Sequence, residues 1–390
     1  MRFHFVVAVA ASTLVASLNA SSVVMNSKLT APGVSTGATK QRFLRSYNMA
    51  DLEEDRALNI NSIFGVNKIK TAYTQSKLSS YLKKGKSEDE VFTKLKLGNQ
   101  ANEKLFQDPK FLAWVKYIDD NNAKTGSKKM SIIPTLTKQY GDDTLARMLE
   151  AASKTDGSKL LVSKLQEQQV KFWRSQNLPL GTVFTRLKLD RNLDDILTNP
   201  SFFAFNRYLV DYNVRYSKSV TMIEAFKGHY GDEAVAKMLQ TTMTKSKDVE
   251  TQKMAGRLQD QQFEVWQSSR ITSDTLFKQL NLNKVDVTLE NPNFLVWGKY
   301  LQNYSGEDKK AFDKLWQIFG EKKLAAMLVA PRETVGGNEM ITFLQNAMIK
   351  KWISMIRTPE DVSSMLGSGF GGKTFAAAYK WNFQSTFKMS

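Results

Sequence analysis

An aromatic residue stands ten positions ahead of a short apolar block four times along this chain, and that repetition limits what the chain can fold into. Tyr81 precedes Val91, Trp173 precedes Val183, Trp266 precedes Leu276 and Trp352 precedes Val362, so the block returns at intervals of 92, 93 and 86 residues. A second pattern keeps the same register: Pro109-x-Phe111-Leu-Ala-Trp114-x-x-Tyr117 returns as Pro200-x-Phe202-Phe-Ala-Phe205-x-x-Tyr208 and Pro292-x-Phe294-Leu-Val-Trp297-x-x-Tyr300. A third follows each time, Tyr140-Gly-Asp, Tyr230-Gly-Asp and Phe319-Gly-Glu, leading into Leu145-Ala-Arg-Met148-Leu149 and its counterparts. The repeated letters are nearly all buried types and the letters between them vary. Such a repeat encodes units that bury their faces against neighbours, and it favours binding over a single active site.

The unit is helical. Leu145, Met148 and Leu149, like Leu160, Leu161 and Leu165, fall at the spacing of one helix face. Gly-Asp after Tyr140 and Tyr230, and Asn199-Pro200 and Asn291-Pro292, mark helix boundaries. With no strand signals, the pattern predicts an all-α fold of about five short helices per unit. The predicted organisation is a helical segment over 61–90, units over 91–182, 183–275 and 276–361, and a last segment over 362–390. In that segment Phe375–Trp381 can be laid over Phe111–Tyr117, and the third pattern does not return, which reads as a truncated unit or cap. Long helices carrying Gln166, Gln169 and Trp173, and Gln259, Gln262 and Trp266, are predicted to link units. On this reading Tyr81, Trp173, Trp266 and Trp352 dock beside the next apolar block.

With 390 residues, 42% hydrophobic, the chain can bury several cores. Its start reads as a secretory signal over 1–20: Arg2 and His4, then Phe5-Val-Val-Ala-Val-Ala-Ala, then small residues at Ala20-Ser21. No later segment is long and apolar enough to span a bilayer. The absence of cysteine suits a protein that is exported and then works in a reducing compartment. A formal charge of +17 invites a nucleic-acid partner. The lysines are scattered, however, and the aromatics fall on predicted core positions rather than on a base-stacking surface, which makes nucleic acid the lesser reading.

Catalytic motifs fare poorly. Gly367-Ser-Gly-Phe-Gly-Gly372-Lys373-Thr374 satisfies the phosphate-loop pattern. It follows a helical repeat rather than a strand, so it reads as a flexible glycine connection between helices and not as a nucleotide site. His4 and His229 are the only histidines, and without cysteine no thiolate metal site or cysteine nucleophile exists. The acidic pairs Asp119-Asp120, Asp142-Asp143 and Asp194-Asp195 read as solvated helix caps. Phe277-Lys-Gln-Leu280 and Phe312-Asp-Lys-Leu315 fit a short aromatic-x-x-aliphatic docking form but fall on core positions. The expectation is a chain that is not an enzyme and needs no metal or cofactor.

Between the leader and about residue 60 the sequence is rich in Ser, Thr, Ala and Gly and reads as an extended arm. Inside it stand Arg42-Phe43-Leu44-Arg45 and, shortly after, Glu53-Glu54-Asp55-Arg56. In this order, after a leader and before helical repeats, the motifs resemble those of oomycete RXLR effectors, proteins secreted by plant pathogens and delivered into host cells. The first motif matches at Arg42, Leu44 and Arg45. The second keeps an acidic-then-arginine character but departs from the family's Asp-Glu-Glu-Arg order. The repeats resemble the family's LWY units: the leucine motif is Val91-Phe92-x-x-Leu95-x-Leu97 and its copies, the tryptophan motif Trp114, Phe205 and Trp297, the tyrosine motif Tyr140, Tyr230 and Phe319. The resemblance implies units joined into an elongated superhelical rod. It also implies secretion, action in the host cytoplasm or nucleus, and suppression of immunity through host proteins, among which a type 2A phosphatase scaffold is the best named partner. A monomer is expected. Suppression of RNA silencing by direct nucleic-acid binding is the alternative.

Overall fold

A computed structural model describes residues 72–124, 129–155, 157–284, 288–302, 308–329 and 338–387. The leader, Arg42–Arg45 and Glu53–Arg56 lie outside these residues.

Among the described residues every regular element is a helix. After a first helix, Ala72–Lys83, come Glu88–Lys94, Pro109–Lys124, Ile132–Tyr140, Asp142–Ser153 and Lys159–Ser175. The same five return as Leu180–Arg186, Ser201–Tyr216, Met222–Tyr230, Asp232–Lys245 and Val249–Ser268. They return again as Ser273–Gln279, Pro292–Tyr300, Asp308–Val329 and Asn338–Ser354, where Asp308–Val329 breaks at Gly320 and so counts as two. Pro359–Leu366 and Phe370–Phe387 complete the described chain.

Local chemistry sets these boundaries. Ser87 and Glu90 form a reciprocal capping box, as do Thr358 and Asp361. Asn291 accepts from the Asn293 amide ahead of Pro292, which occupies the first turn, where a missing N–H does no harm. Gly141, Gly231 and Gly320 have φ of 77°, 80° and 71°. Only glycine enters that region freely, which is why the third motif keeps a glycine before its acid.

The described residues group into two compact bodies, one running to Tyr230 and the other from Gly231. In the first body, Val91, Phe92, Phe111, Trp114 and Leu136 share a core with Leu145, Leu149 and Leu161. In the second, Trp266 shares a core with Leu276, Phe277, Trp297, Leu324, Trp352, Val362 and Tyr379.

Three expectations need correcting. Leu160 is exposed, off the stripe formed by Leu161 and Leu165. Trp381 does not take the place of Tyr117: it is half exposed, and Tyr379, two residues earlier, is the buried counterpart. The glycine connection before Lys373 is shorter than expected: residues 367–369 join Pro359–Leu366 to the next helix, but Gly371 and Gly372 are not part of it. Phe370–Phe387 is already helical there, and a Cβ on Gly371 would lie 2.3 Å from the Val329 carbonyl oxygen.

Candidate functional site: the carboxylate–indole junctions

The helices Lys159–Ser175, Val249–Ser268 and Asn338–Ser354 each carry near their end a tryptophan whose indole meets an acid on another helix. Trp173 Nε1 donates to Asp142 Oδ1 at 2.6 Å, Trp266 Nε1 to Asp232 Oδ1 at 3.0 Å, and Trp352 Nε1 to Glu321 Oε1 at 2.9 Å. In all three the acid directly follows the positive-φ glycine. It therefore sits at the start of a helix, where backbone N–H groups favour negative charge. All three tryptophans are fully buried. A hydrogen bond to a charged group in such surroundings contributes about 1.5–3 kcal/mol.

The sequence reading took Asp142-Asp143 for a solvated pair, and this is wrong. The two residues are only 8% and 6% exposed. Asp143 accepts from the Ser201 hydroxyl at 2.9 Å and from Arg147 at 2.9 Å, with Lys188 at 3.4 Å. In the second body Glu233 holds the matching place and accepts from buried Asn293 at 3.1 Å. Paired with cations and N–H groups, these carboxylates tolerate burial. The other two acidic pairs are not buried.

A ring and a hydroxyl complete each junction. Trp173 meets Tyr208 edge-on at 5.7 Å, Trp266 meets Tyr300 at 5.7 Å, and Trp352 meets Tyr379 at 5.5 Å. The tyrosine hydroxyls donate to carbonyls in the turn after each long helix: Tyr208 to Leu178, Tyr300 to Ile271, Tyr379 to Arg357. Tyr117 makes the same bond to Lys86. Burial pushes the Tyr208 and Tyr379 hydroxyls up to about 12. Tyr81, a phenol where the others are indoles, is only partly buried, with Lys94 6.0 Å from its ring centre.

The tryptophan and leucine motifs meet in one geometry. Phe92–Trp114, Phe184–Phe205 and Phe277–Trp297 are all edge-on pairs with centroids 5.0 Å apart. Trp114 Nε1 donates to the Glu88 carbonyl at 2.9 Å and Trp297 Nε1 to the Ser273 carbonyl at 3.2 Å; Phe205 keeps the ring contact and has no N–H to place. Tyr140 donates to the Leu97 carbonyl at 2.9 Å, and Tyr230 to the matching Leu189 carbonyl. Burial raises the Tyr140 hydroxyl to about 12. Phe319 keeps the place without a hydroxyl and is partly buried, with Lys323 5.1 Å from its ring centre.

The polar partners around the junctions differ between the bodies. Arg207 reaches Glu150 at 3.1 Å in the first, with Gln166 on the same carboxylate at 3.2 Å. In the second, Lys299 donates to Gln240 at 3.2 Å. Burial lowers the Lys299 ammonium and raises the nearby Asp260 carboxyl, each opposed by the other's charge.

The remaining lures resolve into structure. Lys373 is exposed, Thr374 donates its hydroxyl to the Phe370 carbonyl at 2.9 Å, and Gly372 packs against the Leu366 carbonyl. Phe277, Leu280, Phe312 and Leu315 are buried, so neither short aromatic-x-x-aliphatic form is presented to a partner. His229 stacks on Phe184 at 4.2 Å. Among the described residues no group of three or more His, Asp or Glu side chains could hold a metal ion, and no helix is long and apolar enough to cross a membrane. The expectation that aromatics fall on core positions holds for most rings but not for Phe370, Trp381, Phe387 and Tyr216, which are exposed.

Comparison with known proteins places this architecture. A family model described as RXLR phytopathogen effector protein, with avirulence activity, matches residues 2–124. An RxLR effector protein of Phytophthora infestans is 32% identical over 310 residues, covering 75% of this chain and 58% of that protein. RxLR effector protein PSR2 of Phytophthora sojae is 30% identical over 378 residues, covering 94% of this chain and 55% of that protein. The chain thus spans little more than half the length of these curated relatives. The crystal structure of PcRxLR12 matches with a TM-score of 0.59 at 26% identity, over 81% of this chain and 79% of that one. An arm and the beginning of the first repeat that fit the family model, together with RxLR effector relatives that match along up to 94% of the chain, make this chain a member of the RXLR family of phytopathogen effectors.

Proposed function

We propose that this effector is secreted, enters the plant cell through its arm motifs, and acts there as a scaffold that engages host proteins rather than as an enzyme. The observation that carries this reading is the threefold carboxylate–indole bond. The acids that open these helices, Asp142, Asp232 and Glu321, each hold a buried tryptophan. On this reading Trp173, Trp266 and Trp352 are inter-unit junctions that hold successive solvent faces in fixed relation, so that binding incurs little ordering cost. A type 2A phosphatase scaffold subunit is the proposed partner, on the strength of the LWY-like motifs. Suppression of host immunity, in cytoplasm or nucleus, follows from that engagement.

Affinity purification from host tissue, followed by direct titration of the purified phosphatase scaffold subunit, tests this. Wild-type protein should retain the subunit, and Trp266→Ala, costing about 3–5 kcal/mol of stability, should weaken retention. Absence of the subunit from the purified complex together with no binding in the titration removes the phosphatase. Substrate turnover by the wild-type protein removes the scaffold reading.

A further inference from the structure

The helix Phe370–Phe387 carries apolar side chains on two opposite faces, and among the described residues only one of them is packed. The inner face buries Gly372, Phe375 and Tyr379. On the outer face stand Phe370, 88% exposed, Ala377, also exposed, and Trp381, 49% exposed. At about 100° per residue these three fall within about 20° of one line along the helix, opposite Tyr379. Exposed Thr374 lies close to the same line. A helix that is apolar on its solvent face as well as its core face has an unpartnered surface.

We propose that this outer face is a docking seam for an acidic amphipathic α-helix of a partner protein. Phe370, Thr374, Ala377 and Trp381 follow the four-three-four spacing of the contact positions of a coiled coil. Two large rings, roughly 16 Å apart along the axis, flank two small residues, so the seam has a dip that admits a helix closely. Gly371 supports this shape. Its hydrogen faces the Val329 carbonyl, and the close approach seats the start of the helix with Phe370 turned outward. Lys373 and Lys380 are both exposed and both line one edge of the seam, at the positions that select a partner by charge. The helix contains no acidic residue. The complementary helix therefore presents an apolar stripe bordered by glutamate or aspartate. Charge on one edge only, and a dip between the rings, fit a helix better than a flat bilayer surface. The assignment stands on this helix and does not depend on which host protein the scaffold engages.

The test uses the full chain and three probes. They are a labelled four-heptad peptide with leucine at its contact positions and glutamate at the flanking ones, the same peptide with lysine replacing glutamate, and phosphatidylserine vesicles. The glutamate peptide should bind in fluorescence anisotropy, and the double variant Phe370→Ser, Trp381→Ser should lose about tenfold or more in affinity with an unchanged circular-dichroism spectrum. Lys373→Glu with Lys380→Glu, which alters only solvent-facing charges, should reverse the preference towards the lysine peptide. Equal binding by wild type and the ring variant would reduce the interaction to general charge attraction and overturn the proposal. So would ring-dependent binding to vesicles without binding to either peptide, which would assign the face to a membrane surface. Loss of phosphatase binding with peptide binding intact would count against the partner proposed above and leave this seam standing.

Discussion

Trp173 donates its indole N–H to Asp142 across 2.6 Å, and both side chains lie in the protein interior. The pair recurs as Trp266 with Asp232 and Trp352 with Glu321, in each case between the end of a long helix and the start of one that follows a positive-φ glycine. Burial strengthens such a bond and also raises the cost of breaking half of it.

The third pair carries a second partner for its acid. Glu321 also holds Arg357, with Nη2 2.7 Å from Oε2. Glu321→Ala leaves the Trp352 N–H and the guanidinium without their acceptor and should cost about 2–3 kcal/mol, read as a lower midpoint in urea unfolding. Glu321→Gln, which still offers an oxygen to the indole, should cost less. Equal midpoints for wild type and Glu321→Ala would show that the bond contributes nothing.

The phosphate-loop lookalike gives an inverted prediction. In a nucleotide site Lys373 would be indispensable; here Lys373→Ala should leave the melting temperature unchanged. Gly371→Ala places a Cβ 2.3 Å from the Val329 carbonyl oxygen. It should destabilise by about 1–3 kcal/mol, the range for overpacking. Differential scanning calorimetry of the two variants decides between the readings.

Ile356 predicts a gain. It has φ of 52° and is 68% exposed, in the turn position that Gly85, Asn177 and Arg270 fill after the preceding long helices. A β-branched residue is poorly suited to the left-handed region. Ile356→Asn should therefore stabilise by about 1 kcal/mol. A lower unfolding midpoint for this variant would mean that the isoleucine makes contacts that outweigh its strain.

The tyrosine hydroxyls set an alkaline limit. Tyr140, Tyr208 and Tyr379 are raised from 10.0 to about 12 by burial. Between those values the unfolded chain gives up phenolic protons that the folded chain keeps, so the folded state binds more protons and stability falls as pH rises. The contribution is complete below pH 10 and is lost through about 12. Absorbance at the tyrosinate band should show these hydroxyls titrating late and together with loss of helical circular dichroism. Titration near 10 with the fold intact would contradict the buried placement.

The positions of the rings were legible because the repeat conserves buried types at fixed register: Trp114, Phe205 and Trp297 pack as their spacing predicts. Asp142 was not, because an acid in the first turn of a helix reads as a solvated cap. The available signal was the recurrence of Gly-acid in every unit with a tryptophan 31, 34 and 31 residues later. Tyr379 was missed in favour of Trp381 because both are aromatic and two residues apart. The turn carbonyl of Arg357 settles the choice, since a hydroxyl can bond to it there. The outer face of the last helix was hidden for a related reason: rings on two opposite faces blur the one-sided period that marks a core.

A double-mutant cycle on Asp142 and Trp173 tests the central claim most directly. Asp142→Ala, Trp173→Phe and the double variant are unfolded in urea beside wild type. If the carboxylate–indole bond holds the junction, the two single losses will sum to more than the loss in the double variant, by a coupling energy of about 1–3 kcal/mol. Additivity within about 0.3–0.5 kcal/mol would show that the two residues do not hold each other, and the claim that these acids serve architecture would fail.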